Sequence, residues 1–286
     1  MKIFVEFGGV RFRFDSDCDI IVEKTIAPFF FADDGVTDVN VRLIHDFSRA
    51  PLPTGPRVGE DLLLEYYREG DRLTCLTKGS AGRVVACCVY DGQYRDMTCW
   101  LNFPAGSPAD SLGSVLRMLP LRRTLLMRGV LFLHASQVAL GDTGILFTAP
   151  SGTGKTTQAR LWKRFRGTEI LCNDRTLTDG RRTWGFPMDG SEPVRSAERR
   201  KLGAVVILEQ APENRLRRLG PREAIPRLMS QLVLDVWDPE AQAMACGLLL
   251  ELMKCKPVYL LACTPDEAAV RCLEQGLISD GVIANV

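Results

Sequence analysis

The stretch "APSGTGKTT", residues 149 to 157, constrains this chain more than any other part of it. It follows the apolar run "GILFTA" and precedes "KTTQARLWKRF", which reads as a helix. Strand, glycine-rich loop and helix in that order form a phosphate cradle. The pattern is Gly, four residues, Gly-Lys, then Ser or Thr. Successive backbone N–H groups in such a loop make a nest for anionic oxygens. Gly152 and Gly154 remove the Cβ atoms that would block close approach or a positive φ. The helix opening at about Lys155 adds the positive end of its dipole. Lys155 is expected on the β- and γ-phosphates, and Thr156 on Mg²⁺. Ser151, Gly152, Thr153, Gly154, Lys155, Thr156 and Thr157 are the expected nucleotide contacts. Ala149 stands where the pattern has Gly. It adds one methyl at the strand end, away from the two inner glycines.

The chain around this loop falls into parts of different rhythm. "IFVEF" and "VRFRF" alternate around Gly8-Gly9, a two-residue hairpin signal. "NVRLIHDF" alternates as well. "DLLLEYY" with "RLTCLT", and "RVVACCVY" with "QYRDMTCW", continue a meander of antiparallel strands. Residues 103–114 are rich in Pro, Gly and Ser, and a helical pattern follows that Pro120 should kink or divide. From Leu131 onward strands and helices alternate. The expected division is a β-rich N-terminal domain over 1–105, a linker and helix over 106–128, and a P-loop domain over 129–286. In the last part, helices are expected over 221–237 and 239–255, and another ending at Gly276.

Bulk properties remove several function classes. Of 286 residues, 46% are hydrophobic and 25% charged, the balance of a globular protein. A net charge of +1 offers no basic surface for nucleic acid. No apolar run reaches the ~20 residues of a membrane helix. The N-terminus lacks the continuous apolar core of a secretory signal, so the cytoplasm is the expected compartment. The ten cysteines form no Cys-x-x-Cys pair, and with two histidines the chain has no zinc spacing. Buried free thiols are expected.

Phosphoryl transfer needs a group that holds metal and one that orients or deprotonates the acceptor. Asp174 in "EILCNDRTL" lies just past the next strand, where a carboxylate can face the phosphates. Asn173 beside it can hydrogen-bond but cannot act as a base. His134 lies in the strand leading to the P-loop strand, and by itself reads as a satisfied core histidine. His45 reads as structural.

"FLHASQVALGDTGILFTAPSGTGKTTQARL", then "LCND", then "WGFPMDGSEP" resembles the catalytic domain of HPr kinase/phosphorylase and its relatives, a fold shared with PEP carboxykinase. The resemblance is specific over residues 131–193. It implies a PEP carboxykinase-like α/β domain with a mixed sheet, here preceded by a smaller antiparallel β-rich domain. It implies ATP and Mg²⁺, with Thr156 and Asp174 on the metal, His134 close to the phosphates, and Lys155, Asp174 and His134 as the catalytic set. The family carries a pair of acids where this chain has Asn173-Asp174, so one carboxylate must either serve both roles or serve one of them poorly. The polar, turn-rich end of residues 183–193 is expected as a loop over the acceptor or as a hairpin exit loop. Arg195, Arg199, Arg200 and Lys201 read as a solvated face or as a holder of a phosphate or an acidic peptide segment. The implied activity is transfer of the γ-phosphoryl group to a hydroxyl, a serine of a peptide or small protein, such as a ribosomally made natural-product precursor, or a small molecule. Two alternatives stay open: a non-catalytic nucleotide sensor, favoured by Asn173, and a PEP carboxykinase-like lyase.

Overall fold

The computed structural model describes residues 1–61, 63–79, 82–187 and 196–284. The chain divides into two compact units. One is Met1–Arg128 with Asp235–Ala241, the other Gly129–Leu234 with Gln242–Val286. Residues 106–128, expected as linker and helix, therefore lie inside the first unit. A short segment from far along the chain joins them.

The first unit is built on β1 (Lys2–Phe7), β2 (Val10–Ser16), β3 (Val39–Ile44), β4 (Arg57–Glu60), β5 (Leu64–Glu69), β6 (Arg72–Lys78), β7 (Val84–Tyr90) and β8 (Asp96–Leu101). They form one sheet in the order β1-β2-β3-β8-β7-β6-β5-β4. Gly8 and Gly9 turn the first hairpin with φ of 61° and 79°, the positive values a two-residue type I′ turn requires. The sheet is not antiparallel throughout, as expected from the alternation, but mixed. β3 runs parallel to both β2 and β8. The chain between β2 and β3 is a crossover, which returns it to the end where β2 began, and a parallel pair needs such a return. Alternation reports which face a residue takes but not strand direction. β7 is buried on both faces, so Cys87 and Cys88, which point opposite ways, are both buried. Helices α1 (Leu112–Met118) and α2 (Leu121–Leu126) are divided at Pro120. In the segment from 235 to 241, Trp237 stacks on Tyr66 with ring centroids 4.7 Å apart. Gly59 makes room for it: a Cβ there would sit 2.0 Å from the indole.

The second unit contains β9 (Leu131–Leu140), β10 (Thr143–Thr148), α3 (Lys155–Arg166), β11 (Glu169–Cys172), β12 (Arg175–Thr178), β13 (Arg182–Gly185), β14 (Arg199–Gln210), β15 (Arg215–Arg218), α4 (Pro221–Met229), α5 (Pro239–Cys255, its first turn in the 235–241 segment), β16 (Val258–Cys263) and α6 (Glu267–Ser279). Its sheet runs β10-β9-β12-β13-β14-β16-β15, and β10 pairs with β14 as well. The strands β9, β12, β13, β14 and β10 thus close a circuit. β14 is parallel to β10 and to β16, and the other pairings are antiparallel. The described chain is therefore α/β with two mixed sheets and six α-helices. Phe147 and Ala149 of the P-loop strand pack with Ala159 and Trp162 of α3, Val206 of β14 and Leu273 of α6. Two helix expectations change. The helix from Pro221 ends at Met229, because the next residues pair with β9 instead: the Val233 N–H donates to the Phe132 carbonyl at 2.8 Å. α6 continues through Gly276, where a Cβ would lie 2.0 Å from Leu216 Cδ2, so this glycine serves close packing rather than a cap. No helix among the described residues is long and apolar enough to cross a membrane.

Candidate functional site

β10 ends at Thr148 and α3 begins at Lys155, so residues 149–154 form the strand-to-helix turn expected of the glycine-rich pattern. Gly152 has φ 79° and Gly154, the residue before the helix, φ 116°. Both lie where a Cβ is strained. Nothing stands within 4 Å of the Cβ position at Gly152, so that glycine is required by its backbone and by whatever enters the loop, not by packing. Ala149 is completely buried in the core under α3.

Lys155 is buried, and its ammonium donates to the carbonyls of Ala149 at 2.8 Å and Pro150 at 3.3 Å. Among the described residues no carboxylate is in ion-pair contact with it. Burial pushes its pKa below the ordinary lysine value, and the negative charge of Asp174 partly offsets this. A buried cation held only by carbonyl dipoles at the head of a helix suits an anionic ligand. Thr156 and Thr157 occupy the first turn of α3, Thr157 beside Gly154.

Asp174 and His134 come together. β9 and β12 pair antiparallel with His134 opposite Arg175, and the His134 Nε2 lies 2.5 Å from Asp174 Oδ1. With the Nε2–H tautomer, His134 donates to this carboxylate. Its backbone carbonyl accepts from the Thr148 hydroxyl at 2.8 Å, which ties the pair to the end of the P-loop strand. Asp174 Oδ2 has the Arg175 guanidinium at 3.8 Å. About a third of each side chain, 33% of His134 and 31% of Asp174, is exposed. Asn173 differs: it is only 7% exposed, and its backbone carbonyl accepts from the Ser136 hydroxyl at 2.7 Å. The lone histidine, a core residue by its strand pattern, thus faces the acid.

The basic run is elsewhere. In the parallel pair, Thr143 lies opposite Lys201 and Thr148 opposite Ile207. Arg199, Arg200 and Lys201 are therefore at the end of β14 away from the P-loop, about 17 Å along the strand at ~3.3 Å per residue. Arg200 pairs there with Glu198 and Glu169. Arg195 and residues 188–193 of the expected acceptor loop lie outside the described residues.

Sequence reading missed the other wall of the loop. A cleft of about 530 Å³ is lined by residues 149–153, by 207–210 at the carboxyl end of β14, and by Arg227, Ser230 and Gln231. The signal was the polar pair Glu209-Gln210 closing an otherwise apolar strand, "AVVILEQ". Gln210 Nε2 reaches the Gly152 carbonyl at 3.4 Å. In the first unit, Asp17, Cys18 and His45 bring metal-ligand atoms within 4.8 Å of one another. Both His45 ring nitrogens are already engaged there by carboxylates, Asp17 at 2.6 Å and Asp110 at 3.0 Å. All ten cysteines are free. Half of them are buried and Cys255 is exposed, so the expectation of buried thiols applies to part of the set. No protein-family model matches the sequence, and a search of curated proteins returned no match.

Proposed function

We propose that this chain is an ATP- and Mg²⁺-dependent kinase of the HPr-kinase-like group, with a PEP carboxykinase-like catalytic unit, acting on a hydroxyl of a peptide or small protein. The observation that carries this reading is the carboxylate of Asp174, delivered from the neighbouring strand and bonded to His134, whose charge acts on the P-loop Lys155. The residues fit the nucleotide: the loop has two positive-φ glycines, a buried ammonium and a helix N-terminus. Thr156 and Asp174 would hold Mg²⁺, which would supply charge neutralisation for the phosphates.

The chain's own residues do the rest. The loop N–H groups and Lys155 bind and orient the phosphates, Lys155 exchanging its carbonyl partners for phosphate oxygens. Asp174 accepts the proton of the acceptor hydroxyl or fixes its direction. His134 holds Oδ1 of Asp174, and Oδ2, which has the Arg175 guanidinium at 3.8 Å, is the oxygen available to the acceptor.

The test is incubation of the chain with ATP, Mg²⁺ and candidate peptides, read by mass spectrometry as a gain of one phosphate. Lys155→Ala and Asp174→Asn are each expected to slow transfer by about 10²- to 10⁴-fold. Tight ATP binding with no phosphorylated product from any acceptor would leave the sensor reading in its place. Undiminished transfer by Asp174→Asn would remove Asp174 as base.

A further inference from the structure

The P-loop has two sides, and the proposed kinase chemistry uses one. His134 and Asp174 stand on the β9 and β12 side. On the other side β14 runs parallel to β10, with Thr148 opposite Ile207. The carboxyl ends of the two strands open at the same edge, the place where α/β sheets take ligands. The cleft of about 530 Å³ lies there, walled directly by the loop, and is of a size for a small ligand.

We infer that this cleft holds the nucleoside half of the nucleotide, with Glu209 accepting from the ribose hydroxyls and Arg227 lying against the base. The inference rests on the P-loop reading above. A nucleotide whose phosphates lie in the loop must lay its ribose to one side. The floor at Ile207 and Leu208 is apolar and buried, and the rim is polar. Glu209 is 53% exposed in its side chain and lies at the end of the strand beside the phosphate loop. A ribose diol offers two O–H donors, and an ionised carboxylate is an acceptor only. Arg227 is held from two sides, 3.8 Å from Glu209 and 3.6 Å from Glu223. A guanidinium plane so steadied can stack on a base. Gln231, whose carbonyl accepts from the His134 N–H at 2.8 Å, closes the wall toward the acid and offers both a donor and an acceptor. The acceptor hydroxyl then approaches from the His134–Asp174 side.

Calorimetric binding of three probes tests this: ATP, 2′,3′-dideoxy-ATP and inorganic tripolyphosphate. The native chain should bind ATP about tenfold more tightly than the dideoxy nucleotide. Glu209→Ala should weaken ATP about tenfold or more and dideoxy-ATP by a smaller factor, since Glu209 also steadies Arg227, and leave tripolyphosphate unchanged. Arg227→Ala should weaken both nucleotides about fivefold or more, with tripolyphosphate unaffected. Equal losses for ATP and dideoxy-ATP in Glu209→Ala, or unchanged ATP binding in Arg227→Ala, would overturn the assignment. Lys155→Ala separates the two readings. Loss of all three probes supports the P-loop as their anchor, whereas native affinity for all three overturns the P-loop reading itself.

Discussion

Three positions at the loop separate steric need from chemical need. Gly152 and Gly154 both have positive φ, but only Gly152 lies within reach of the left-handed well that other residues visit, and Gly154 at 116° lies beyond it. Gly154→Ala should therefore cost more stability than Gly152→Ala, which should lose about 1–2 kcal/mol; urea midpoints compare them. Ala149 is a core methyl. Ala149→Gly, the change that restores the usual loop pattern, should destabilise the chain by about 1.5 kcal/mol through lost burial and added backbone freedom, with ATP affinity unchanged. Asn173 has a similar logic. At 7% exposure its site suits a neutral amide, and an ionised carboxylate placed there loses its hydration. Asn173→Asp should lower the thermal midpoint, and an unchanged midpoint would show that the position is solvated. The strand-to-helix turn at residues 149–154 and the place of Asp174 just past the next strand were legible in the sequence because local glycine and hydrophobic pattern specify them. The strand pattern around His134 reads as core, and only the resemblance grouped it with Asp174; no local pattern gave the bond between them. Only the register of β9 against β12 brings it to the acid.

At the scale of elements, strand existence followed from alternation and turn residues, whereas strand direction did not. The pairings of β3 with β2 and β8 are parallel because the chain crosses back before β3. The 235–241 segment shows the same limit. Its residues read as the end of one helix and the start of another, but Trp237 packs on Gly59 and Tyr66 of the first unit. Asp235, 2% exposed, accepts from Arg122 at 3.2 Å. Gly59→Ala should push the indole from its seat and cost about 1–3 kcal/mol through overpacking. Thermal unfolding of that variant, followed by circular dichroism, checks it. A native midpoint would mean that the indole shifts without loss. Glu209 and Gln210 carry a related lesson. A polar pair at a strand end becomes a candidate ligand wall only once β14 is known to lie parallel beside β10.

For the whole molecule, stability should depend on pH through His45. Burial pulls its pKa down, but hydrogen bonds to Asp110 and Asp17 and their charges raise it above the ordinary 6.5. The stabilisation this brings is fully present below about 6.5 and is lost as pH rises through the raised value. Asp17 acts with the opposite sign. Burial raises its pKa, yet the bonds from His45 hold it below 3.8, so its contribution is present above that value and fades as pH falls through the lowered one. The pair is complete between these limits. From pH 6 to pH 8 the thermal midpoint of the native chain should fall more steeply than that of His45→Gln, and parallel slopes would remove His45 from the account. By itself the sequence determined the glycine-rich strand-to-helix loop and most strands and helices, because these rest on hydrophobic period, glycine and proline positions and one short motif. Tertiary structure alone decided strand direction, the closed circuit of five strands, the place of residues 235–241, the contact of His134 with Asp174 and the cleft beside β14. Each of those depends on which segments distant in sequence share an edge, and a local pattern of burial carries no record of its partner.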